Sequence, residues 1–556
     1  MSDRMHPIPF ETLLDWVFGE LKTENSIFGC RDFYRAPKDA GQPYMGRTLE
    51  TAVGPAAGPH TQLAQNMISA YLCGARMFEL KTVQVIDGED LPVSKPCILA
   101  EDEGYNCEWS TELTVRQAQE EYIKAWFMLH VLAKELELGR ADGFVFNMSV
   151  GYDLEGIQSR KIDDYLNHMM DATHTEEFCH CKQVLAQRLD GFRHFTAEDL
   201  EAISPAICSS VTVSTMHGCP PSEIERIALY LLENKKLNLL LKCNPTLAGY
   251  DYARRVLNDL GFSYIRFERE SFDHDLQYAD AIPMLRRIQD KAGELGLYFG
   301  LKLTNTFAVK AAEGELPDEN MYMSGRALLP LSLEVAERIS REFNGDLPIS
   351  YCGGANAKNI AVLRRAGFFP ITVCTELLKP GGYGKLKAMA EALEGTENSG
   401  PLKPDGLSES LSSRARSSSA VRRPARPENP YGHLNCRTVC GNCASVCPNR
   451  ANTVIRTERG KQLLHIDGMC NECGNCASFC AEKTAPYLEK LTVFSSAEEL
   501  RNSKNAGFCY LWDSGRFLLR WEGACREGKV ENGDFTEEIA GVMTAVRERY
   551  PWLLYR

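Results

Sequence analysis

Short apolar runs alternate along most of this chain with longer segments whose apolar residues recur every three or four positions. The short runs predict buried strands, and the longer segments predict amphipathic helices. Strands are predicted at residues 51–53, 77–80, 144–148, 211–214, 239–241, 264–267, 300–303, 348–351 and 371–374. Helices are predicted at 112–138, 222–233, 332–343, 357–366 and 385–393. Strand followed by helix, repeated, indicates a parallel sheet with helices packed around it.

Eight such units over roughly 350 residues predict an α/β fold, a (β/α)8 TIM barrel. Nine strands are predicted, so we expect one of those between 264 and 303 to belong to an insertion. The barrel is assigned to residues 49–396 and is preceded by an N-terminal cap, residues 1–48, with a helix near 10–20.

The periodic pattern stops at residues 397–430, which are rich in Ser, Pro, Arg and Gly. Five arginines and no acidic residue fall within 411–427, a composition typical of a flexible linker. A cysteine-rich domain is predicted at 431–486, with a hairpin at 453–466. The C-terminal α+β tail, 487–556, is predicted to contain a hairpin at 508–521 and a terminal helix.

Eight of the 21 cysteines lie in two similar runs in the cysteine-rich domain. The first run is C-x3-C-x2-C-x3-C-P and the second is C-x2-C-x2-C-x3-C. Thiolates are soft ligands, and this spacing is that of bacterial ferredoxins with two [4Fe-4S] clusters, where the last cysteine of each run ligates the other cluster. One predicted ligand set is Cys436, Cys440, Cys443 and Cys480, and the other is Cys470, Cys473, Cys476 and Cys447.

Zinc and disulfides are the alternatives for these cysteines. A zinc ribbon needs two C-x2-C pairs and would leave unused the cysteine that ends each run after three residues, Cys447 and Cys480. Disulfides are disfavoured because no signal-peptide pattern follows Met1, so we expect the reducing cytoplasm. The first run has one extra residue before Cys440, and Ala481 stands where a second proline is usual, which affects loop geometry and not the number of ligands.

The overall composition and charge limit the classes of molecule that the protein is expected to bind. Hydrophobic residues make up 44% and charged residues 25%, which is ordinary for a globular protein. The net charge of 62 − 75 = −13 disfavours nucleic acid and anionic membranes. No apolar run reaches the length of about 18 residues that would indicate a membrane span.

Active sites of such barrels lie at the carboxyl ends of the strands. Small residues follow the first predicted strand and the strand at 348–351, and lysines follow the second and fifth. Hydroxyl or amide residues follow the strands at 144–148, 211–214, 300–303 and 371–374. Gly353 and Gly354 precede a predicted helix at Asn356, a pattern typical of a barrel phosphate site.

These residues resemble the dihydroorotate dehydrogenase fold and the flavin half of dihydropyrimidine dehydrogenase, over roughly residues 45–395. The motifs that carry the resemblance are Ala56-Ala57-Gly58, residues 78–83, 304–306 and 324–327, and Gly353-Gly354. With the cysteine runs included, the chain resembles the family labelled selenate reductase large subunit.

The resemblance implies FMN in the barrel mouth. The residues that would contact its ring are Ala56, Ala57, Gly58, Lys81, Asn147 and Lys242. Those that would bind its phosphate are Ser324, Gly325, Gly353, Gly354, Cys374 and Thr375. Those expected to bind substrate are Asn147, Asn244, Asn305 and Thr306. No dinucleotide fingerprint follows a strand, so we expect a separate NAD(P)H/FAD or ferredoxin-type protein as electron donor.

The proton donor in the resembling family follows the fourth strand in an Asn-x-Ser-Cys-Pro pattern, from which this sequence departs. Aligned through Ser214, the position is Thr215, and aligned through Cys-Pro it is Cys219. Cys219 is preferred because a thiol exchanges protons near neutral pH better than a threonine hydroxyl does. His217 is a further candidate.

The sequence thus predicts an FMN- and iron–sulfur-dependent oxidoreductase. It would reduce or oxidise a C=C or C=N bond of a planar nitrogen heterocycle of oxopurine or pyrimidine type, as in purine metabolism. Two [4Fe-4S] clusters would relay electrons from the donor protein, and an oligomer is expected. The alternatives are a selenate or other oxyanion reductase subunit, and an electron-transfer subunit whose barrel is not catalytic.

Overall fold

A computed structural model describes residues 4–555 except 92, 108–109, 215–216, 311–315, 318–319, 397–399, 416–431 and 435. The proton-donor candidate Thr215 and most of the predicted linker therefore lie outside the described residues. No helix in the described part of the chain is both long and apolar enough to cross a membrane.

Eight parallel strands form the central sheet and confirm the predicted barrel. In chain order they are β1 (Val53–Pro55), β2 (Met77–Glu79), β3 (Val145–Val150), β4 (Cys208–Ser214), β5 (Asn238–Cys243), β6 (Phe299–Leu303), β7 (Ile349–Tyr351) and β8 (Ile371–Val373). From β2 onward each strand pairs with the next, and β8 pairs in parallel with β1. The backbone N–H of Arg76 donates to the Val53 carbonyl over 3.0 Å, which joins β2 to β1 and closes the barrel.

Helices follow the strands around the outside of the barrel. They are Ala64–Leu72, Val115–Glu135, Arg160–Met170, Pro221–Glu233, Tyr278–Glu294, Leu329–Glu342, Ile360–Arg365 and Lys385–Leu393. The longest, Val115–Glu135, begins with a capping box in which Thr114 and Gln117 satisfy each other's backbone N–H groups. Further helices between β3 and β4 are Leu154–Gln158, Glu176–Arg188 and Ala197–Glu201. Between β5 and β6 lie Tyr250–Asp259 and Arg269–His274.

The predicted strand at 264–267 is the one that does not belong to the barrel. Arg266 forms a single bridge with Lys310, and no strand is assigned at 264–267. The apolar residues of this segment, Ile265 and Phe267, instead pack with Phe272 in a second, smaller core. The alternation of apolar residues in this segment is therefore explained by burial in the smaller core and not by pairing in a sheet.

A second sheet, absent from the sequence prediction, is built from the loops after β2 and β6. Its strands are Ile98–Ala100, Glu103–Asn106, Phe307–Lys310 and Asn320–Gly325, all paired antiparallel. Both loops leave the carboxyl ends of barrel strands, so this sheet covers part of the barrel mouth.

The cysteine-rich segment and the tail share one six-stranded sheet. Its strands are Asn452–Thr457, Gly460–Ile466, Thr492–Val493, Gly507–Leu511, Arg516–Trp521 and Ala524–Gly528. Both predicted hairpins are confirmed, as are the terminal helix, Glu537–Arg549, and the N-terminal helix, Phe10–Glu24. Because strands on both sides of residue 486 pair, the two predicted domains are structurally continuous. The remaining short elements are the strands Gln42–Tyr44 and Arg47–Leu49 and the helices Leu407–Leu411, Asn442–Val446, Asn475–Ser478, Pro486–Glu489 and Ala497–Asn502.

The described first half of the predicted linker differs from the flexible segment that its composition indicates. Ser340 Oγ donates to the Leu402 carbonyl over 2.7 Å, and the Ala415 N–H donates to the Leu260 carbonyl over 2.7 Å. The helix Leu407–Leu411 packs on Leu329–Glu342. Buried Leu402 and Ser408, together with these hydrogen bonds, thus fix residues 401–415 on the barrel. The linker prediction for 416–430 falls outside the described residues.

Candidate active site at the barrel mouth

A cavity of about 1060 Å³ opens at the carboxyl ends of the barrel strands. This volume is at the upper end of the range for small-molecule and cofactor sites. The second sheet contributes Ile98, Gly104, Tyr105, Tyr322 and Ser324 to its wall. The cavity therefore lies between the barrel and the sheet that its own loops build.

Four charged side chains meet at the inner end of the cavity. Lys302 and Glu79 form a buried ion pair of 2.6 Å, and Thr372 Oγ1 lies 2.6 Å from Lys302 Nζ. Lys81 and Lys242 line the cavity beside them. Burial lowers the pKa of Lys242, and the charges of Lys302 and Lys81 lower it further against the opposing effect of Glu79. Three cations beside one carboxylate favour an anionic group at this end.

Hydroxyl groups and glycines form the outer end. Ser324 Oγ lies 2.7 Å from Thr375 Oγ1. A Cβ at Gly325 would come within 2.9 Å of Thr375 Cγ2, and one at Gly353 within 2.9 Å of Thr304 Cγ2. Gly325, Gly353 and Gly354 all have φ between 84° and 92°, which side chains rarely adopt. Only glycine therefore fits this wall.

The helix expected directly behind Gly353 and Gly354 begins later than the sequence indicates. The structure starts it at Ile360 and gives it six residues, Ile360–Arg365. The intervening turn is held by the Asn356 N–H, which donates to Asn359 Oδ1 over 2.8 Å. The outer end is consequently built from loop backbone and hydroxyl groups, without a helix N-terminus directly behind it.

Most of the residues predicted from the sequence line this one cavity. They are Ala56, Ala57, Gly58, Lys81, His217, Lys242, Asn305, Thr306, Ser324, Gly325, Gly353, Gly354, Cys374 and Thr375. Asn147, Asn244 and Cys219 are described but are not among the lining residues. Asn147 is fully buried, and its Nδ2 donates to Thr212 Oγ1 over 2.7 Å. Asn244 Oδ1 accepts from Asn305 Nδ2 over 3.0 Å and so helps to orient Asn305, which lines the cavity.

His217 has an acidic partner that the sequence analysis missed. Its Nδ1 lies 2.9 Å from Asp275 Oδ2, and Asp275 also accepts from the Gly218 N–H and from Thr246 Oγ1. Burial opposes ionisation of Asp275, but these hydrogen bonds and the charge of His217 hold its pKa below the ordinary value. Among the described residues, His217 Nε2 is a buried polar atom without a hydrogen-bond partner. An imidazole oriented in this way can exchange a proton with a ligand in the cavity.

Cys219 has less favourable surroundings for proton transfer. Its half-buried side chain packs against the main core. Burial raises the pKa of Cys219 to about 11, and Glu223 and Asp153 contribute to the increase. A thiol with so high a pKa is a poor acid at neutral pH.

Cysteines of the two runs lie near one another in the folded chain. Burial raises the pKa of Cys443 to about 12, and neighbouring Cys436, Cys480 and Cys440 add to the rise. Burial also raises the pKa of Cys470, with contributions from Cys447, Cys473 and Cys476. These last four cysteines surround a small internal cavity with Asn449 and Tyr487.

No three His, Cys, Asp or Glu side chains of the described chain converge closely enough to hold a single metal ion. A cubane cluster does not require its four cysteines to converge on one point. Each cysteine binds a different iron atom, so the four sulfurs lie around the cluster. Thiolates that raise one another's pKa are also the groups that bound iron would stabilise. The arrangement of Cys447, Cys470, Cys473 and Cys476 around one small cavity is compatible with a cubane cluster.

The cysteine runs contact the barrel mouth directly. The Ile98 N–H donates to the Cys473 carbonyl over 2.8 Å, and Asn475 Nδ2 donates to the Leu378 carbonyl over 2.9 Å. Phe479, which precedes Cys480, lines the barrel cavity. Ile98 and Leu378 line it as well, so the cavity and the cysteine sets share a wall.

Residues 28–420 match the family described as oxidoreductase YgfK, N-terminal TIM-barrel domain. The chain belongs to this family. Two YgfK proteins, from Escherichia coli (strain K12) and Escherichia coli O157:H7, are each 48% identical to it over 411 residues. The match covers 71% of this chain and 40% of each relative, so the chain spans well under half of their length. A solved structure of DHODH from Eimeria tenella, in complex with ferulenol, covers 70% of this chain and 91% of its own, with 16% identity and a TM-score of 0.41.

Proposed function

We propose that this YgfK-family chain is an oxidoreductase that binds FMN in the barrel cavity and two [4Fe-4S] clusters in the cysteine runs. The observation that carries the proposal is the chemical difference between the two ends of the barrel cavity. Its inner end is lined by Lys81, Lys242 and Glu79, with Lys302 buried behind Glu79, and its outer end is made of hydroxyl groups and positive-φ glycines. An elongated ligand with an anionic ring at one end and a phosphate at the other suits both ends.

The chain's residues divide between the two ends of FMN. Ala56, Ala57 and Gly58 would lie against the ring, and a Cβ at Gly58 would come within 2.9 Å of Cys374 Sγ. Lys81 and Lys242 would stabilise negative charge on the ring, while Ser324, Thr375 and the glycines would hold the phosphate. When bound, FMN supplies hydride transfer to or from a substrate carbon.

The proposed substrate is a planar nitrogen heterocycle of oxopurine or pyrimidine type, reduced or oxidised at a C=C or C=N bond. Such a reaction needs a proton exchanged at the atom next to the hydride carbon. We assign that proton to Nε2 of His217, whose ring lies nearly parallel to Tyr322 at 6.1 Å. Asp275 holds the imidazole, and the amide of Asn305 and the hydroxyl of Thr306 offer polar contacts to the heterocycle.

Each cluster would be held by one of the two cysteine sets and supplies one-electron transfer when bound. The wall shared by Ile98, Leu378 and Phe479 supports transfer between the clusters and the cavity. The electron donor is proposed to be a separate NAD(P)H/FAD or ferredoxin-type protein. Iron and sulfide analysis of anaerobically purified protein should give about eight of each per chain. Stoichiometric zinc without sulfide would contradict the cluster assignment.

FMN binding to the flavin-free protein, followed by quenching of flavin fluorescence, tests the site. Lys242→Ala should weaken binding by about tenfold, or about 1.4 kcal/mol, because one of the cations at the anionic ring is lost. Lys236→Ala is the control, since Lys236 is exposed at the other end of β5. Binding of FAD in preference to FMN, or equal affinity of the two variants, would contradict the proposal.

A further inference from the structure

A second cavity, of about 710 Å³, lies between the N-terminal segment, the barrel and the cysteine-rich segment. Two free cysteines outside the cluster runs, Cys30 and Cys73, line it together. The two sulfur atoms are 3.8 Å apart, with the Cys73 thiol donating to Cys30 Sγ. Cys440, a predicted cluster ligand, lines the same cavity.

Local structure holds both sulfurs in place. Cys30 ends a tight turn in which Ile27 and Cys30 exchange backbone hydrogen bonds of 2.9 Å. The two central residues of the turn, Phe28 and Gly29, have φ of 47° and 75°. Cys73 caps the C-terminus of the helix Ala64–Leu72. A turn and a helix end thus bring together two thiols that are 43 residues apart in the chain.

The two thiols are chemically unequal. Hydrogen bonding from Cys73 lowers the pKa of Cys30 against the effect of burial, and the Arg450 charge lowers it further. The pKa of Cys73 is raised well above its ordinary value by the hydrogen bond to Cys30 and by burial. Cys30 is also the more exposed of the two. This asymmetry is that of an attacking and a resolving thiol.

The charges around the cavity favour an anionic ligand. Its positive side chains are Arg31, Lys387, Arg450, Arg456 and Lys461. Three carboxylates share the wall with these five cations: Glu20 accepts from four donors, Glu24 pairs with Arg31 and Arg456, and Asp32 pairs with Lys387. The cavity thus carries more cations than carboxylates, although the chain as a whole has a net charge of −13.

We propose that Cys30 and Cys73 form a redox-active dithiol that reduces small anionic disulfides in this cavity. The Cys30 thiolate attacks one sulfur of the disulfide RSSR, forming a mixed disulfide and releasing RS⁻, which takes a proton. Cys73 then attacks Cys30 Sγ, releases the second RSH and closes the Cys30–Cys73 disulfide. Two thiols are oxidised and one disulfide is reduced, so the exchange balances. A dithiol reductant regenerates the pair.

The dithiol goes beyond the flavin chemistry and does not depend on it. Wild-type protein should react equally with glutathione disulfide whether or not it contains FMN. A failure of FMN binding would therefore leave this proposal standing, and the reverse holds as well.

The test is anaerobic reaction of the full chain with glutathione disulfide, followed by peptide mass mapping. Wild-type protein should form the Cys30–Cys73 disulfide and release two glutathione molecules per chain. Cys73→Ser should stop at a mixed disulfide on Cys30, and Cys30→Ser should not react at this pair. Cys179→Ser is the matched control, because Cys179 is an exposed free cysteine on the helix Glu176–Arg188. Cys30 should react roughly tenfold faster than Cys179, because Cys73 and Arg450 lower the pKa of Cys30.

A neutral probe, 2-hydroxyethyl disulfide, tests the charge preference. Glutathione disulfide should react faster, and added salt should reduce the difference because it screens the cations. Equal rates for the two probes would overturn the anionic assignment. Absence of the Cys30–Cys73 disulfide in the wild-type protein, or equal reactivity of Cys30 and Cys179, would overturn the site itself. The wild-type measurement decides this even if a variant fails to fold.

Discussion

At the scale of single residues, the orientation of His217 depends on a carboxylate far from it in the chain. Asp275 lies just after the helix Arg269–His274, 58 residues beyond His217. It accepts from His217, from the Gly218 backbone, and from Asn244 and Thr246. These bonds fix the imidazole with its Nε2 facing away from Asp275, which defines Asp275 as a positioning residue.

Replacement of Asp275 by Asn should therefore slow turnover. The carboxylate holds the His217 ring in place, so its loss should reduce kcat by about 10²-fold or more. FMN affinity should not change. His217→Gln should reduce kcat at least as much. If Cys219→Ala reduces kcat while His217→Gln does not, the proton belongs to Cys219.

The buried pair Glu79–Lys302 gives a second prediction at this scale. Lys302→Met removes the ion-pair partner of the buried Glu79 carboxylate. This substitution should lower the free energy of unfolding by about 3–5 kcal/mol. The double variant Glu79→Gln/Lys302→Met should recover part of that loss, because no buried charge is then unpaired. Urea unfolding measures both, and equal stability of the two variants would contradict the pairing argument.

At the scale of elements, the sequence predicted what local periodicity determines. The eight barrel strands, both hairpins and the helix Lys385–Leu393 follow from alternation and spacing. The sheet over the mouth was missed because its four short strands come from two loops about 200 residues apart, which no local pattern connects. Asp275 was missed for the same reason, since only the folded loops bring it to His217.

The cysteine runs contain a natural pair of equivalent asparagines. Asn442 and Asn475 each stand between a glycine and the third cysteine of a run. Asn475 is fully buried and donates to the carbonyls of Leu378 and Val446, whereas Asn442 makes one long bond of 3.5 Å to Phe479.

Asn475→Ala should therefore destabilise the contact between the cysteine runs and the barrel, while Asn442→Ala should not. Two buried carbonyls lose their donor, at a cost of about 1–3 kcal/mol each. Thermal unfolding of both variants measures the difference. A larger effect from Asn442→Ala would show that the hydrogen bond from Asn475 to the barrel contributes less to stability than the contacts of Asn442.

At the scale of the whole molecule, both ends of the chain hold the cysteine-rich segment on the barrel. The His6 N–H donates to the Gly468 carbonyl, and Tyr550 OH donates to Glu24 Oε1 over 2.6 Å. From the barrel, Tyr383 OH donates to the Pro448 carbonyl over 2.7 Å. The composition of 397–430 predicts that the cysteine-rich domain is a tethered, separately folded unit. These contacts would keep it on the barrel even if the connecting chain were cut.

Cleavage of the chain between barrel and cysteine runs should therefore leave one particle. A site-specific protease sequence inserted within residues 416–431 allows the cut, and a denaturing gel verifies that two fragments have formed. Under native conditions the fragments should co-elute in gel filtration, because buried hydrogen bonds and apolar contacts join them on several sides. They should separate only in denaturant. Elution as two species in native buffer would show that the cysteine-rich segment moves freely once released, as the composition of the linker alone suggests.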